Sequence, residues 1–205
     1  SSSEFNAIHL LKTPTDVNPN AQHRIGEVVQ EVTEVSGNAS TLSKRNNYAN
    51  WTDKILPISV QTSKNTQPLE DRVVYHRYDS HANPLEVSQK DGPHTVYLYG
   101  YTQQYPIAKI ENARFSEVAT ALGVSEDALE DFNESNLSQI NALRAQKPEW
   151  MITTYTHIPL VGMETVTDPK GLTTTYEYDD FNRLQYIKDH NGDILEAYEY
   201  NYRTE

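Results

Sequence analysis

Tyrosines recur along the second half of this sequence at a nearly constant interval, and this repeat constrains the fold more than any other feature. Tyr78 and Tyr99 lie 21 residues apart, as do Tyr155 and Tyr176, and Tyr198 follows after a further 22. A fixed period of about 20–50 residues is typical of arrays in which one supersecondary unit is repeated and packs against its neighbours. We therefore expect one structural unit to recur several times.

Within each unit the tyrosines lie two residues apart. Side chains of a β-strand point alternately to its two faces, so residues two apart share a face. We expect rows of tyrosines along one face of a sheet, where a cross-strand aromatic pair contributes about 0.2–1 kcal/mol relative to an alanine pair. The predicted row residues are Tyr97, Tyr99, Tyr101, Tyr155, Tyr176, Tyr178, Tyr198, Tyr200 and Tyr202.

Turn-forming residues separate these segments. Gly92, Gly171 and Gly192 each follow within a few residues of an aspartate, and glycine adopts positive φ without steric cost. Asn-Gly is favoured in two-residue hairpin turns, so Asn191-Gly192 is expected to form a plain hairpin turn. The predicted fold class is mainly β, with consecutive antiparallel hairpins forming a curved sheet.

Residues 114–149 interrupt the repeat with a helical pattern. Ser116 and Ser125 are candidate N-caps, and Leu137, Ile140 and Leu143 recur at helical spacing. The flanking residues 107–111 and 153–156 resemble the two arms of one repeat. We expect a small helical insertion at a hairpin tip, where insertions are tolerated. It either docks a partner or is a solvated decoration, and the second interpretation is favoured.

The distribution of tyrosine divides the chain. Thirteen of the 14 tyrosines lie at or after Tyr75. We predict an irregular β-rich segment over 1–70, with degenerate hairpins near 25–35, 48–51 and 55–62, then repeat hairpins over 71–113 and 150–205. Because the first residues have neither the basic flank nor the apolar run of a signal peptide, we expect the chain to be a fragment of a longer protein.

Charge and composition exclude several classes of function. A formal net charge of −12 disfavours nucleic acid and anionic membranes as partners, because both would repel the protein. The absence of cysteine excludes disulfides, thiolate zinc sites and a cysteine nucleophile. No run approaches the roughly 20 apolar residues that a membrane-spanning helix needs.

The residues also carry a family likeness. Tyr176-Glu177-Tyr178-Asp179-Asp180-Phe181-Asn182-Arg183-Leu184, preceded by Thr167-Asp168-Pro169-Lys170-Gly171, resembles the YD repeat of RHS-type proteins. The segment 78–85 is a second copy, with Asn83-Pro84 where a Gly-Arg or Gly-Asn pair is commoner. The likeness covers about 71–113 and 150–202. The layout is similar to RHS-like proteins of Bacteroidetes, with a helical insertion after residues 108–113.

This resemblance implies a secreted or cell-surface bacterial β-shell, which in some members encloses a toxic C-terminal domain. The chain is too short to close a shell and lacks the self-cleaving core motif and a recognisable toxin domain. The implied role is therefore a structural shell segment that encloses or displays another polypeptide. The implied partners are other repeats of the same parent chain, with a toxin-like cargo, a protein or a carbohydrate as further candidates.

Residue patterns typical of enzymes are weak. Asp189-His190-Asn191-Gly192-Asp193 lacks the ligand alternation of a calcium loop, and the seven histidines form no metal-binding helical pair. Glu177 and Glu199 resemble a glycosidase pair only because carboxylates are abundant. We predict no catalytic, cofactor or metal site. The alternative is an adhesin-like module that binds carbohydrate or protein through exposed aromatics or the helical insertion. Deleting the insertion would leave a pure scaffold folded.

Overall fold

Antiparallel strands dominate the computed structural model, which describes residues 2–4, 30–35 and 40–201. The strands in these ranges are β1 Ser2–Glu4, β2 Gln30–Val35, β3 Ser40–Trp51, β4 Lys54–Lys64, β5 Glu70–Tyr78, β6 Pro84–Ser88, β7 His94–Gly100, β8 Tyr105–Glu111, β9 Met151–Ile158, β10 Gly162–Thr167, β11 Thr173–Tyr178, β12 Leu184–Lys188 and β13 Ile194–Ala197. The helices are α1 Phe115–Leu122, α2 Glu126–Glu130 and α3 Leu137–Gln146, with a 3₁₀ turn over Glu134–Asn136. The mainly β class with a small helical segment is confirmed.

The chain divides into two units, Ser1–His94 and Thr95–Glu205. Within each unit every strand pairs antiparallel with the next one along the chain, which confirms the consecutive antiparallel arrangement. The sheet is open and uncurled within each unit, whereas the sequence predicted a curved sheet. A sheet curls when twist and register stagger accumulate over many strands, and each unit has only six or seven in the described ranges.

The irregular opening is partly described. Strands β2 and β4 overlap the stretches predicted near residues 25–35 and 55–62, and β3 contains 48–51 but begins earlier, at Ser40. Residues 25–29 of the first stretch lie outside the described residues. The division of the chain into 1–70, 71–113, 114–149 and 150–205 stays a prediction. None of the described helices is long and apolar enough to cross a membrane.

The helical segment forms the core of the second unit. Strands β8 and β9, which flank it, pair directly with each other, so it does replace a hairpin turn. Yet α3 packs on both strands, and Ile110 and Ile152 on the sheet and Ile140 and Leu143 on α3 are fully buried, each at most 1% exposed. Burying such a side chain contributes about 1.5–3 kcal/mol. The expected solvated decoration is therefore wrong, and deleting the segment would expose this core.

The helix ends follow their local sequence. Ser125 caps α2 as predicted, since its side chain accepts the Ala128 N–H. At α1 the predicted cap Ser116 is wrong, because the helix begins at Phe115 with Arg114 as N-cap. Here the Glu117 carboxylate accepts the Arg114 N–H at 2.8 Å, so the acid of the third helical position supplies the cap bond.

Aromatic side chains fill the centre of the first unit. Tyr78 stacks on Tyr75 with ring centres 5.7 Å apart and meets Trp51 edge-on at 5.5 Å. Burial raises the pKa of Tyr78, and the neighbouring Tyr75 and Tyr48 add to the shift. This tyrosine is therefore neutral and available as a hydrogen-bond donor.

Candidate functional site

Four turns in the described chain share one hydrogen-bond pattern that begins at an aspartate. In each turn the aspartate Oδ1 accepts the backbone N–H groups of the second and fourth residues after it, at 2.8–3.0 Å. The aspartate N–H also donates to the carbonyl of the fourth residue after it, and the aspartate carbonyl accepts the N–H of the third, at 2.9–3.1 Å. The four aspartates are Asp79, Asp168, Asp179 and Asp189. One carboxylate thus organises each five-residue connection.

The third residue after each aspartate adopts positive φ. Two of the predicted turn glycines hold this place, Gly171 at 83° and Gly192 at 87°, while Ala82 and Asn182 hold it in the other two turns. Asn191-Gly192 does lie in the turn of a hairpin, between the antiparallel strands β12 and β13, but the connection is longer than two residues because β12 ends at Lys188 and β13 begins at Ile194. The aspartate carboxylate stabilises a longer connection than the dipeptide signal indicates.

The turn that contains Gly92 lacks this pattern. Gln89 stands where the other turns have aspartate, and Pro93 stands where they offer an N–H. Positive φ is adopted by Asp91, at 52°, and the Gly92 N–H bonds to the Gln89 carbonyl at 3.1 Å. A Cβ on Gly92 would lie 2.9 Å from the Gln89 Cβ. Glycine is therefore needed here because the backbone passes close to the Gln89 side chain.

Hydrogen bonds favour the charged form of two turn carboxylates, those of Asp179 and Asp189. The Arg183 side chain, with backbone N–H groups, lowers the pKa of Asp179, and Arg183 Nη2 lies 2.6 Å from the Asp179 Oδ2. Burial opposes ionisation of Asp189, but the Asn191 and Asp193 N–H groups outweigh it and lower its pKa. Both groups therefore act as charged acceptors at neutral pH, which strengthens the bonds they accept.

Three tyrosine hydroxyls bind the backbone of another strand next to β-bulges. Each hydroxyl donates to a backbone carbonyl one residue before the extra residue of a bulge, where the strand ladder is locally disrupted. The pairs are Tyr78 with Pro57 at 2.7 Å, Tyr178 with Met163 at 2.8 Å and Tyr200 with Leu184 at 2.9 Å. The extra residues are Ile58, Glu164 and Gln185. We call these three contacts the tyrosine clamps. Sequence reasoning missed them because periodicity shows where tyrosines lie, not what their hydroxyls reach.

The predicted tyrosine rows have aliphatic or charged partners across the strands. Tyr97 lies opposite Lys109, Tyr155 opposite Val166, and Tyr176 opposite Ile187. Tyr97 and Tyr99 are half-buried and alternate with buried Val96 and Leu98 on β7, so they occupy the face away from the helices. Tyr198 and Tyr200 are 39% and 45% exposed, and Tyr202 lies outside the described residues. That these rows stabilise the repeat stays a prediction.

Tyr101 departs from the rows. It lies in the turn between β7 and β8, where its ring meets Tyr105 at 5.8 Å and His157 at 5.6 Å, both edge-on. Its hydroxyl accepts the His157 N–H at 2.9 Å, while the Tyr105 and His157 rings stack at 5.0 Å. The three residues form an aromatic cluster that joins this turn to the end of β9.

Removing the Tyr178 hydroxyl is expected to destabilise the second unit by about 1 kcal/mol, the net worth of one hydrogen bond. A Cβ on Gly162 would lie 2.3 Å from that hydroxyl oxygen, so Gly162→Ala should also destabilise by displacing the ring. Urea unfolding of Tyr178→Phe, Gly162→Ala and the double variant checks this coupling. Gly162→Ala should lower the free energy of unfolding less when Tyr178→Phe is already present. Additive effects of the two substitutions would show that Gly162 and the Tyr178 clamp are independent.

Acid should weaken the aromatic cluster through His157. Its Nδ1 is buried without a hydrogen-bond partner among the described residues, and burial lowers the pKa of the ring. The unfolded chain therefore binds this proton more readily, so stability is complete above about pH 6.5 and falls as the pH drops below it. Urea unfolding at pH 7.5 and 5.5 should show a smaller acid loss in His157→Gln than in the wild type. The exposed His190, changed to Gln, is the control and should keep the wild-type loss, whereas equal losses in all three proteins would contradict the assignment.

One of the two carboxylates weighed as a glycosidase pair lies in an ion pair. Glu177 pairs with Lys188 at 2.6 Å. Within the part of the chain that the structure describes, no group of three or more histidine, aspartate or glutamate side chains could hold a metal ion.

A comparison with protein-family models matches the RHS repeat over residues 164–194. The matched residues contain three of the four aspartate turns, those of Asp168, Asp179 and Asp189, together with Tyr178. Residues 164–194 of this chain therefore carry an RHS repeat. RHS repeats occur in structural or cell-surface repeat proteins, and the family is generally structural rather than catalytic. A search of curated proteins found no match.

Proposed function

We propose that this RHS-repeat chain is a non-enzymatic structural segment of a bacterial secreted or cell-surface shell that encloses or displays another polypeptide. The observation that carries the proposal is that polar side chains repeatedly form hydrogen bonds with backbone groups of the same chain. The turn aspartates accept N–H groups and the clamp tyrosines donate to carbonyls, so these groups serve the wall itself. Residues 114–149 act within this wall as a covering of its sheet.

The partners proposed first are further repeats of the same parent chain. All four residues of β13 are exposed, among them Ile194 at 57% and Leu195 at 59%. Among the described strands β13 pairs with β12 alone, and a strand with one unpaired edge and exposed apolar side chains is a template for another strand. A further hairpin with the same turn geometry would pair with β13 and cover both side chains.

The test uses the full-length product of the gene that encodes this segment. An enclosed polypeptide should resist protease in the wild type and become digestible when the wall is weakened by Arg144→Met or Asp79→Ala. Gln139→Met changes an exposed residue of α3 and should leave the protection unchanged. A displayed polypeptide would be digested equally in all variants while remaining attached. Absence of any second polypeptide with the purified product would contradict the proposal.

A second candidate function is an adhesin-like module that binds carbohydrate. A recess between the helical segment and the β7–β8 turn favours it. The exposed aromatics of the sheet support it less directly, because Tyr178 and Tyr200 already donate to backbone carbonyls.

A further inference from the structure

Asn191 and Gly192 form the one Asn-Gly pair of the whole sequence, and they lie in the connection between β12 and β13. This dipeptide is chemically labile, because glycine has no Cβ and its backbone nitrogen can approach the side-chain amide of the residue before it. Burial does not protect the pair, since both residues are exposed. Any protection must therefore come from the geometry of the turn.

Deamidation of such a pair proceeds through a five-membered ring. The Gly192 nitrogen loses its proton to solvent and attacks the Asn191 Cγ, the Cγ–Nδ2 bond breaks, and ammonia leaves. Water then opens the resulting succinimide at one of its two carbonyl carbons. Opening at Cγ gives aspartate, whereas opening at the backbone carbon gives isoaspartate, in which the chain continues through Cγ. One water is consumed and one ammonia is released, and the step needs neither an oxidant nor a reductant.

The Asp189 turn restrains the attacking nitrogen. The Gly192 N–H donates to the Asp189 carbonyl at 3.0 Å, so the nitrogen has to give up this bond before it can lose its proton and approach Cγ. Gly192 has a φ of 87°, and the N–H of the next residue, Asp193, donates to the Asp189 Oδ1 at 3.0 Å. The peptide on each side of Gly192 is thus held by Asp189, and attack requires the turn to open.

The same aspartate restrains the residue that is attacked. Its Oδ1 accepts the Asn191 N–H at 2.9 Å, and its Oδ2 lies 3.5 Å from the Asn191 Nδ2. Backbone hydrogen bonds favour the charged form of this carboxylate. A negative charge beside the peptide opposes formation of the anionic nitrogen that attack needs. One side chain therefore restrains both reacting groups.

We propose that Asn191 is a site of spontaneous deamidation in this protein, and that the Asp189 turn sets the rate by keeping the pair unreactive until the turn opens. The isoaspartate product adds one carbon to the backbone of the connection, so the Asp189 bonds to residues 191 and 193 no longer fit together. It also places a new carboxylate beside Asp189. The modification therefore prevents the turn from closing again. This chemistry goes beyond the scaffold function, because it needs only the folded hairpin.

Mass spectrometry of the purified chain during incubation in mildly alkaline buffer tests the proposal. Samples are digested with trypsin at mildly acidic pH, where ring formation is slow, and the peptide 189–203 is followed. An isoaspartate-specific methyltransferase identifies the product. The folded wild type should react about fivefold or more slowly than the same chain unfolded in urea, the factor that corresponds to one net hydrogen bond. Asp189→Ala should raise the rate of the folded chain by a similar factor.

Two control variants separate the turn from general effects. Asp193→Ala removes a carboxylate of the same connection, in which only the backbone N–H of this residue binds Asp189 Oδ1, and it controls for the change in charge. Asp179→Ala removes the acceptor of the equivalent turn between β11 and β12, and it controls for lost stability. Both variants should modify Asn191 at the wild-type rate.

Three results would overturn the proposal. The first is a rate at Asn191 in urea that is no higher than the rate in the folded wild type, which would mean that the turn gives no protection. The second is an Asp189→Ala variant that reacts as slowly as the folded wild type. The third is an Asp179→Ala variant that reacts as fast as Asp189→Ala, which would assign the protection to overall stability rather than to the turn.

Discussion

Replacing Arg144 with methionine is expected to lower the free energy of unfolding of the second unit by about 3 kcal/mol. The guanidinium joins α3 to two strands and a turn by donating to the carbonyls of Ile152 at 3.0 Å, Thr167 at 3.2 Å and Asp168 at 3.2 Å. It also donates to the Thr154 hydroxyl at 3.2 Å. Hydrogen bonds from charged donors are worth about 1.5–3 kcal/mol each. Several of the acceptors can bond to water once the guanidinium is gone, so the expected loss is smaller than the sum of the four bonds.

Methionine isolates the loss of the guanidinium because it preserves most of the apolar stem. Urea unfolding measures the change, and Gln139→Met, on an exposed position of the same helix, should stay within about 0.5 kcal/mol of the wild type, as surface substitutions usually do. Equal stabilities for the two variants would show that α3 is held by its apolar side chains alone.

Replacing Asp79 with alanine is expected to destabilise the first unit by about 2–3 kcal/mol. Its carboxylate is buried, at 6% exposure, and accepts the His81 N–H, the Asn83 N–H and the Asn83 Nδ2, all at 2.8 Å. Removing the acceptor leaves these donors unpaired in a partly buried place, which costs more than the net worth of the bonds.

Two companion variants sharpen the Asp79 result. Asp79→Asn retains an oxygen at the accepting position and should lose roughly half as much stability, since neutral acceptors are about half as strong. Asp53→Ala removes an exposed carboxylate in the turn between β3 and β4 and should have little effect on urea unfolding. A loss in Asp53→Ala as large as that in Asp79→Ala would point to a general charge effect rather than to the turn.

Periodicity predicted the strands of the repeat well because alternation and turn residues are local signals. Tyr176 and Tyr178 do lie on one strand, and Gly171 and Gly192 do adopt positive φ. The role of the aspartates was not predictable in this way. For Asp189–Asp193 the prediction relied on the Asn-Gly dipeptide and gave Asp189 no role, although its carboxylate determines the length of the connection.

The contacts between elements distant in the sequence could not be predicted, because local sequence patterns do not show which elements pack together. Ile140 and Leu143 indicated a helix, but the narrow apolar stripe could not show that β8 and β9 would bury them. The clamp of Tyr178 depends on a bulge at Glu164 in another strand. The recess joins Gly100 to Glu134, which lie on opposite sides of two helices in the chain.

Amide hydrogen exchange of the described turns, followed by NMR, tests the central claim that one aspartate-centred turn recurs through the chain. Slow exchange is expected at the two N–H groups that each carboxylate accepts, which are those of His81, Asn83, Lys170, Leu172, Phe181, Arg183, Asn191 and Asp193. The Lys90 and Asp91 amides lie in the turn that has Gln89 in place of the first aspartate; they are the internal reference and should exchange fast. If all ten amides exchange equally fast, the carboxylates do not hold these turns and the structural repeat is not built as described.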